Sequence, residues 1–447
     1  MLFFKKYFSN VTFYKRTGLI MFPIAIQSII TSISSFIDTM MASQIDCISA
    51  IGTALQIDAL MQGIAFGIAA GINIFIVQYF GANDYQNMKR SFGLSLISVT
   101  FNALFWIVLV FILNKQLLGI FIQNETVIAN ALEYIKIACF SYIFTSLVLS
   151  FTFAYHSVQK TYIPLLISII TTVLHIFFNQ LFMFQLCFGI KGAAISLLLS
   201  QAISFILYLL YSIISHQPFI GSIFELFKIP FSFIKRIYIK VIPLIINETL
   251  FSVGNSLFIV AYGLLGKNVM DCYYIGNQIV NVFYTIVNAM SDASTSMIGL
   301  ELGKENYNYE EKEVNYFFGM TGILSCIIII ALLLFAPQII KLFEVQSPKQ
   351  IYLAIAIIRV LSIRIAFRLF NVVIFSALRA GGDSKYLTFL DSVILWSIGL
   401  VSTFFMICLL HIDNIVIIIL VSQIEQLVRL ILGMKRLKTK KWLHALV

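Results

Sequence analysis

The 447-residue chain is 60% hydrophobic and 11% charged, with a mean hydropathy of +0.96, more apolar surface than a water-soluble core can bury. That excludes an ordinary soluble domain and predicts an all-α integral membrane protein. The formal net charge of +10 has no basic, aromatic-interleaved domain outside the apolar runs, which speaks against nucleic acid and for the anionic lipid of an inner leaflet.

Crossing about 30 Å of hydrocarbon takes roughly 20 apolar residues per helix, and the chain holds twelve such runs. The first, 17–42, starts after Arg16, is too long for a signal segment and lacks a small-residue cleavage site, so it is expected to remain as a span. It carries one carboxylate, Asp38, within "TSISSFIDTMMAS". In hydrocarbon such a group is tolerated when a proton, a cation or a partner matches its charge, which is also the chemistry of a coupling site. A structural hydrogen bond between helices is the plainer alternative. The second run, 51–80, has a weak polar series in Asp58, Gln62 and Asn73, and runs at 92–113, 126–154, 161–186 and 190–214 complete the first six.

Residues 216–237, with two prolines and several basic residues, read as a cytoplasmic linker lying partly along the membrane surface. They separate an N-lobe, 1–215, from a C-lobe, 238–447. The second set of runs follows at 238–264, 273–302, 314–336, 350–378, 386–410 and 413–434. Glu248 sits in the seventh. The eighth carries Asn277, Asn281, Tyr284, Asn288 and Asp292 at spacings of three and four, one polar stripe of the kind that walls a cavity for small organic substrates. The tenth holds Arg359, Arg364 and Arg368. In "LRAGGDSK", Gly381 and Gly382 suit a turn, with Asp383 capping the next helix; the GxGD pattern of membrane aspartyl proteases fails because residue 380 is Ala. No other catalytic motif is present, and an enzyme is not expected.

With the N-terminus inside, the inner segments hold twenty Lys and Arg, beginning with Lys5, Lys6, Lys15 and Arg16. The outer segments hold five: Lys115, Lys191, Lys267, Lys341 and Lys349. Both termini are therefore expected in the cytoplasm, and the abundance of Ile, Phe, Tyr, Asn and Lys fits the plasma membrane of a bacterium with an AT-rich genome. The six cysteines show no metal or redox spacing and read as apolar filler.

The two sets of six runs repeat each other at an offset near 220 residues. "FPIAIQSIITSISSFIDTMM" from Phe22 matches "IPLIINETLFSVGNSLFIVA" from Ile242 in its proline and in a polar residue four later. An even number of spans inserts both copies the same way up, which predicts two six-helix lobes related by an axis along the membrane normal.

Four landmarks in order carry a family resemblance: Pro23 with Asp38, "FIVQYFGAND", "NQLFMFQLCFGIKGAAIS" and "ALRAGGDSKY". Together they resemble the multidrug and toxic compound extrusion (MATE) family over nearly the whole chain. The resemblance implies twelve transmembrane helices in two lobes forming a V-shaped cleft, and export of organic compounds in exchange for protons or sodium, with no cofactor and as a monomer. It implies that Asp38 is the proton-linked carboxylate, with partners at His175, Asn179 and Ser196. The family more often has Asn where this chain has His175, and often Asp where it has Asn179. His175 is then either a second titrating group or a neutral, hydrogen-bonded one.

In the second lobe the resemblance places a cation site on Glu248 and on the position of Asn371. Arg364, Arg368 and Asn371 share one helical face, so an arginine pair with Glu248 is one expectation. Pairing of the arginines with Asp391 or Glu425 is another, and a cleft-facing role in binding substrate a third. The last would favour the rival function, a flippase for lipid or lipid-linked oligosaccharide on a related fold.

Overall fold

The computed structural model describes residues 7–8, 11–43, 47–119, 125–340, 348–443 and 446; Lys5, Lys6 and Lys341 lie outside them. Among the described residues every regular element is helical. In chain order these are α1 (Val11–Ser43), α2 (Ile48–Gly81), α3 (Tyr85–Gly119), α4 (Glu125–Ala138), α5 (Ser141–Ser157), α6 (Tyr162–Gln185) and α7 (Ile190–Ile214). A short α8 (Ile223–Phe227) precedes α9 (Phe231–Gly263), α10 (Lys267–Gly303), α11 (Tyr307–Ile340), α12 (Pro348–Ala380), α13 (Ser384–Leu409) and α14 (Ile415–Lys438).

α4 and α5 meet at 55° and together make one span, so the long elements match the twelve apolar runs. Nine helices among the described residues, or ten with the bent pair, are apolar and long enough to cross a membrane. The two that fall short, α10 and α12, carry the polar stripe and the arginines. α6 is regular to Asn179 and then widens over Gln180–Gln185, where Leu186 N–H bonds the Leu181 carbonyl five residues back. Such turns recur beside functional sites.

The chain divides into two compact units, residues 22–245 and residues 1–21 with 246–447. This division differs from the lobes drawn on the sequence, because each crossing falls inside a helix, beside Pro23 in α1 and Pro243 in α9. A proline inside a helix removes one backbone hydrogen bond and weakens the ladder there. The start of α1 belongs to the unit that contains α10 and α11: Phe13 packs edge-on against Tyr316 and Phe317, and Arg16 lies 3.5 Å from Glu301. The start of α9 belongs to the other unit, where Arg236 bonds the Tyr79 hydroxyl and Tyr238 donates to Ser98 at 2.7 Å.

Residues 216–237 are no free tether. Phe219 is fully buried against Phe92, Phe151 and Tyr155. α8 opens with a reciprocal capping box between Ser222 and Glu225, and Glu225 also meets Lys89 at 3.2 Å. The Ser222 backbone N–H, and then Lys89, hold the Glu225 carboxyl below its ordinary range. Ile223 and Phe224 point outward, 74% and 81% exposed, as an interfacial segment would. In the later turn Gly382 has φ +69°, and a side chain on Gly381 would collide with the Trp442 carbonyl. The expected cap by Asp383 is not made; its carboxylate instead accepts from Arg436 Nε at 2.7 Å.

α8 reaches α3 through Gly93, where an added Cβ would sit 2.0 Å from the Leu226 carbonyl, whereas Gly63 in α2 has nothing within 4 Å. Gly93→Ala should therefore lower unfolding stability by about 1–3 kcal/mol through overpacking. Gly63→Ala should be neutral or slightly stabilising. Thermal unfolding of the two purified variants side by side checks this, and equal melting temperatures would refute it.

Candidate functional site

Asp38 lies on the later part of α1, within the unit formed by residues 22–245. His175 and Asn179 stand one turn apart on the buried face of α6 and converge on one of its oxygens. His175 Nε2 is 2.9 Å from Asp38 Oδ1, Asn179 Nδ2 donates to the same atom at 2.8 Å, and Asn179 Nδ2 is 3.3 Å from His175 Nε2. Behind the ring, Ser200 of α7 places its Oγ 3.2 Å from His175 Nδ1 and 3.0 Å from the Leu197 carbonyl.

Ser200 has a single hydroxyl hydrogen, and that makes the arrangement a two-state holder. With a neutral ring, Nε2–H donates to Asp38 and the Ser200 hydroxyl donates to Nδ1. With an imidazolium, both ring nitrogens donate and the Ser200 hydroxyl turns to Leu197. In both states each ring nitrogen keeps a partner, and the two differ by rotation of the Ser200 hydroxyl, which reaches the Leu197 carbonyl only beside the imidazolium.

The cluster opens on a cavity of about 410 Å³ whose walls include Gln27, Gln62, Gln201 and the second-helix carboxylate Asp58. No Lys or Arg among the described residues lines it. Asp58 is 5% exposed and accepts a hydrogen bond from the Tyr142 hydroxyl at 2.5 Å.

The other unit treats its charges differently. Glu248 is paired at 2.8 Å with Arg379. Asp391 receives Arg368 and Arg429, each at 3.1 Å, and an Asn247 amide at 3.2 Å. Arg429, wholly buried, also reaches Glu425 at 3.1 Å, and the Arg368 guanidinium lies over Phe251 and Phe375. Three carboxylates thus meet three guanidinium groups. Arg364 makes no ion pair among the described residues. Asn371 bonds Gln426 through its amide, and its Oδ1 is buried without a partner.

The MatE family profile matches residues 23–181 and 243–405, the two halves of the internal repeat. This chain belongs to the MatE family. Among its relatives, the probable multidrug resistance protein YoeA of Bacillus subtilis (strain 168) is 21% identical over 405 residues, 87% of this chain and 86% of that protein. A MOP superfamily transporter from Pyrococcus furiosus Vc1 (DSM3638) superposes with a TM-score of 0.86 at 16% identity, over 96% of each chain. The Vibrio cholerae MATE transporter VcmN gives 0.85 at 16% identity, covering 96% of this chain and 98% of that one. These likenesses establish a multi-pass membrane transporter with the MATE fold.

On this MATE scaffold the structure brings Asp38, His175 and Asn179 together and leaves Ser196 out. Its hydroxyl bonds the Gly192 carbonyl of its own helix at 2.9 Å, and Ser200, one turn later, faces the histidine. Glu248 is paired with Arg379, which the sequence placed in an inner loop, so the expected pairs with Arg364 or Arg368 are not formed. Asn371 has no bond to Glu248 among the described residues. Along α10, Asn277 and Tyr284 are half-buried, while Asn281 and Asn288 are exposed.

Arg429 holds two acids with no exposed surface, whereas Arg368 shares one acid and keeps 16% of its side chain exposed. Arg429→Met should cost about 3–5 kcal/mol, the range for breaking a buried pair, and Arg368→Met clearly less. Melting curves in one detergent test the order, and a larger loss for Arg368→Met would contradict this account of the cluster.

Proposed function

We propose that the protein is a secondary antiporter that exports small organic compounds by alternating access, in exchange for protons. The observation that carries this reading is the Asp38, His175, Asn179 and Ser200 cluster opening on a cavity that no Lys or Arg among the described residues lines. Asp38 is met by N–H donors, which favour a proton over sodium, since a metal ion needs oxygen ligands at those positions. The name of the Bacillus subtilis relative supports export of drug-like compounds.

In this mechanism a proton entering the cavity is held on the Asp38–His175 pair. Its arrival neutralises the carboxylate and weakens the hold on an organic cation or polar group bound beside it; departure of the proton to the other side resets the site. In the second unit Arg368, Arg379 and Arg429 are engaged with acids, and of the span arginines there only Arg359 and Arg364 make no ion pair among the described residues, which supports export over a flippase that would clasp phosphate groups with a set of free guanidinium groups. The site is proposed to work in a monomer in the bacterial plasma membrane, with both termini inside.

Vesicles containing the purified protein and loaded with ethidium test the reading. A pH gradient should drive dye movement with or without sodium. Asp38→Asn should melt normally yet lose gradient-driven transport, and a variant that still pumps would remove Asp38 from the mechanism. The charge bias further predicts that tags on either terminus resist protease in intact spheroplasts and are cut once the membrane is opened; cleavage of either tag in intact spheroplasts would reverse the assignment.

A further inference from the structure

The cavity beside Asp38 contains a second carboxylate that the coupling cluster does not use. Asp58 stands ten residues into α2, about 15 Å along the helix axis at 1.5 Å per residue. It is 5% exposed, it lines the same cavity as Asp38, and no described residue bonds its second oxygen.

The titratable groups around Asp58 are acids with one exception. α5 contributes the Tyr142 hydroxyl bonded to it. α4 and the bend after it contribute Tyr134 and the Cys139 thiol, both close enough to feel its charge. α1 contributes Asp38 and α7 the Tyr208 phenol, each on the cavity wall. α3, packed along α2, brings Asn102, whose amide bonds the Met61 carbonyl. The exception is His175 of α6, which is bonded to Asp38. Asp58 therefore has no fixed cation, and a carboxylate this deep in a span is tolerated when something mobile and positive neutralises it. The cavity it lines is a route by which that can arrive.

We propose that Asp58, held by the Tyr142 hydroxyl, is a second proton-binding site in this cavity, so that the unit of residues 22–245 loads two protons, one on the Asp38–His175 pair and one on Asp58. Tyr142 is its positioning residue. A phenol hydroxyl both donates and accepts, so the bond persists whether Asp58 is a carboxylate receiving the phenol hydrogen or an acid returning its own. Two carboxylates in one cavity repel each other as ions, so loading is coupled and the macroscopic steps belong to the pair. The use of the second proton rests on the antiport reading; its existence does not, and it is measurable without any substrate.

Infrared difference spectra of the protein in lipid nanodiscs, taken across a pH titration, read protonated carboxyl groups directly. The wild type should show a titrating carboxyl band that Asp58→Asn removes and Asp38→Asn retains. Tyr142→Phe should shift the Asp58 band in frequency without abolishing it, and this arm stands if Asp58→Asn does not fold. An Asp58→Asn spectrum identical to wild type, or a Tyr142-sensitive band that never titrates, overturns the proposal and leaves Asp58 a structural hydrogen-bond acceptor. In ethidium-loaded vesicles, the protons moved per dye should fall to about half in Asp58→Asn. An unchanged ratio would overturn the second site as part of the cycle. A titrating Asp58 band in a protein that moves no dye would instead refute the antiport reading and leave the second site standing.

Discussion

A charge placed in hydrocarbon has to be matched, and that requirement organises both units of this protein. In the unit of residues 246–447 the match is internal. Asp391, Glu425 and Glu248 face Arg429, Arg368 and Arg379 across α9, α12, α13 and α14, and the pairs tie those helices to one another. In the unit of residues 22–245 the match is left open. Asp38 and Asp58 look onto a cavity whose single basic side chain among the described residues is a histidine, the residue type whose charge changes readily near neutral pH. A fixed pair makes a scaffold; an unfixed one makes a place where a mobile charge is required.

The internal repeat sharpens the contrast, because both units descend from the same sequence pattern. The polar residue four places after the proline is Gln27 in one copy and Asn247 in the other. Gln27 lies on the cavity wall. Asn247 is fully buried, donating to Asp391 and accepting from Ser392. The copies differ in that the second sets Arg368 and Arg429 against Asp391 beside this position, where the first has a cavity.

Much of this was legible in the sequence. Twelve apolar runs became twelve long helical elements, since no other structure with its backbone satisfied fits the hydrocarbon at that length. Asp38 stood out as a lone carboxylate, and the i, i+4 spacing of His175 and Asn179 put them on one face. Ser196 and Ser200 share a face by the same spacing, so periodicity has no means of choosing between them; the choice depends on how far α7 is rotated against α6. Arg379 was hidden by a boundary two residues short: α12 runs on to Ala380, and its guanidinium reaches Glu248. Asp58 read as one member of a weak polar series because its place on the cavity depends on α5 bringing Tyr142 across from another helix. Such facts live in packing between elements, where no local period records them.

The unit boundaries have the same origin. Pattern reading divides the chain at the polar tract 216–237, since polar residues mark where the backbone leaves the bilayer. The tract is nonetheless seated by Phe219, Leu226 and the Gly93 approach, and the actual crossings fall inside α1 and α9. A proline interrupts a helix's ladder of backbone hydrogen bonds. Pro23 and Pro243 supply that interruption at equivalent places in the repeat. The feature that served as the repeat's most visible sequence marker is thus also the one that lets each unit take its first helical turns from the other half of the chain.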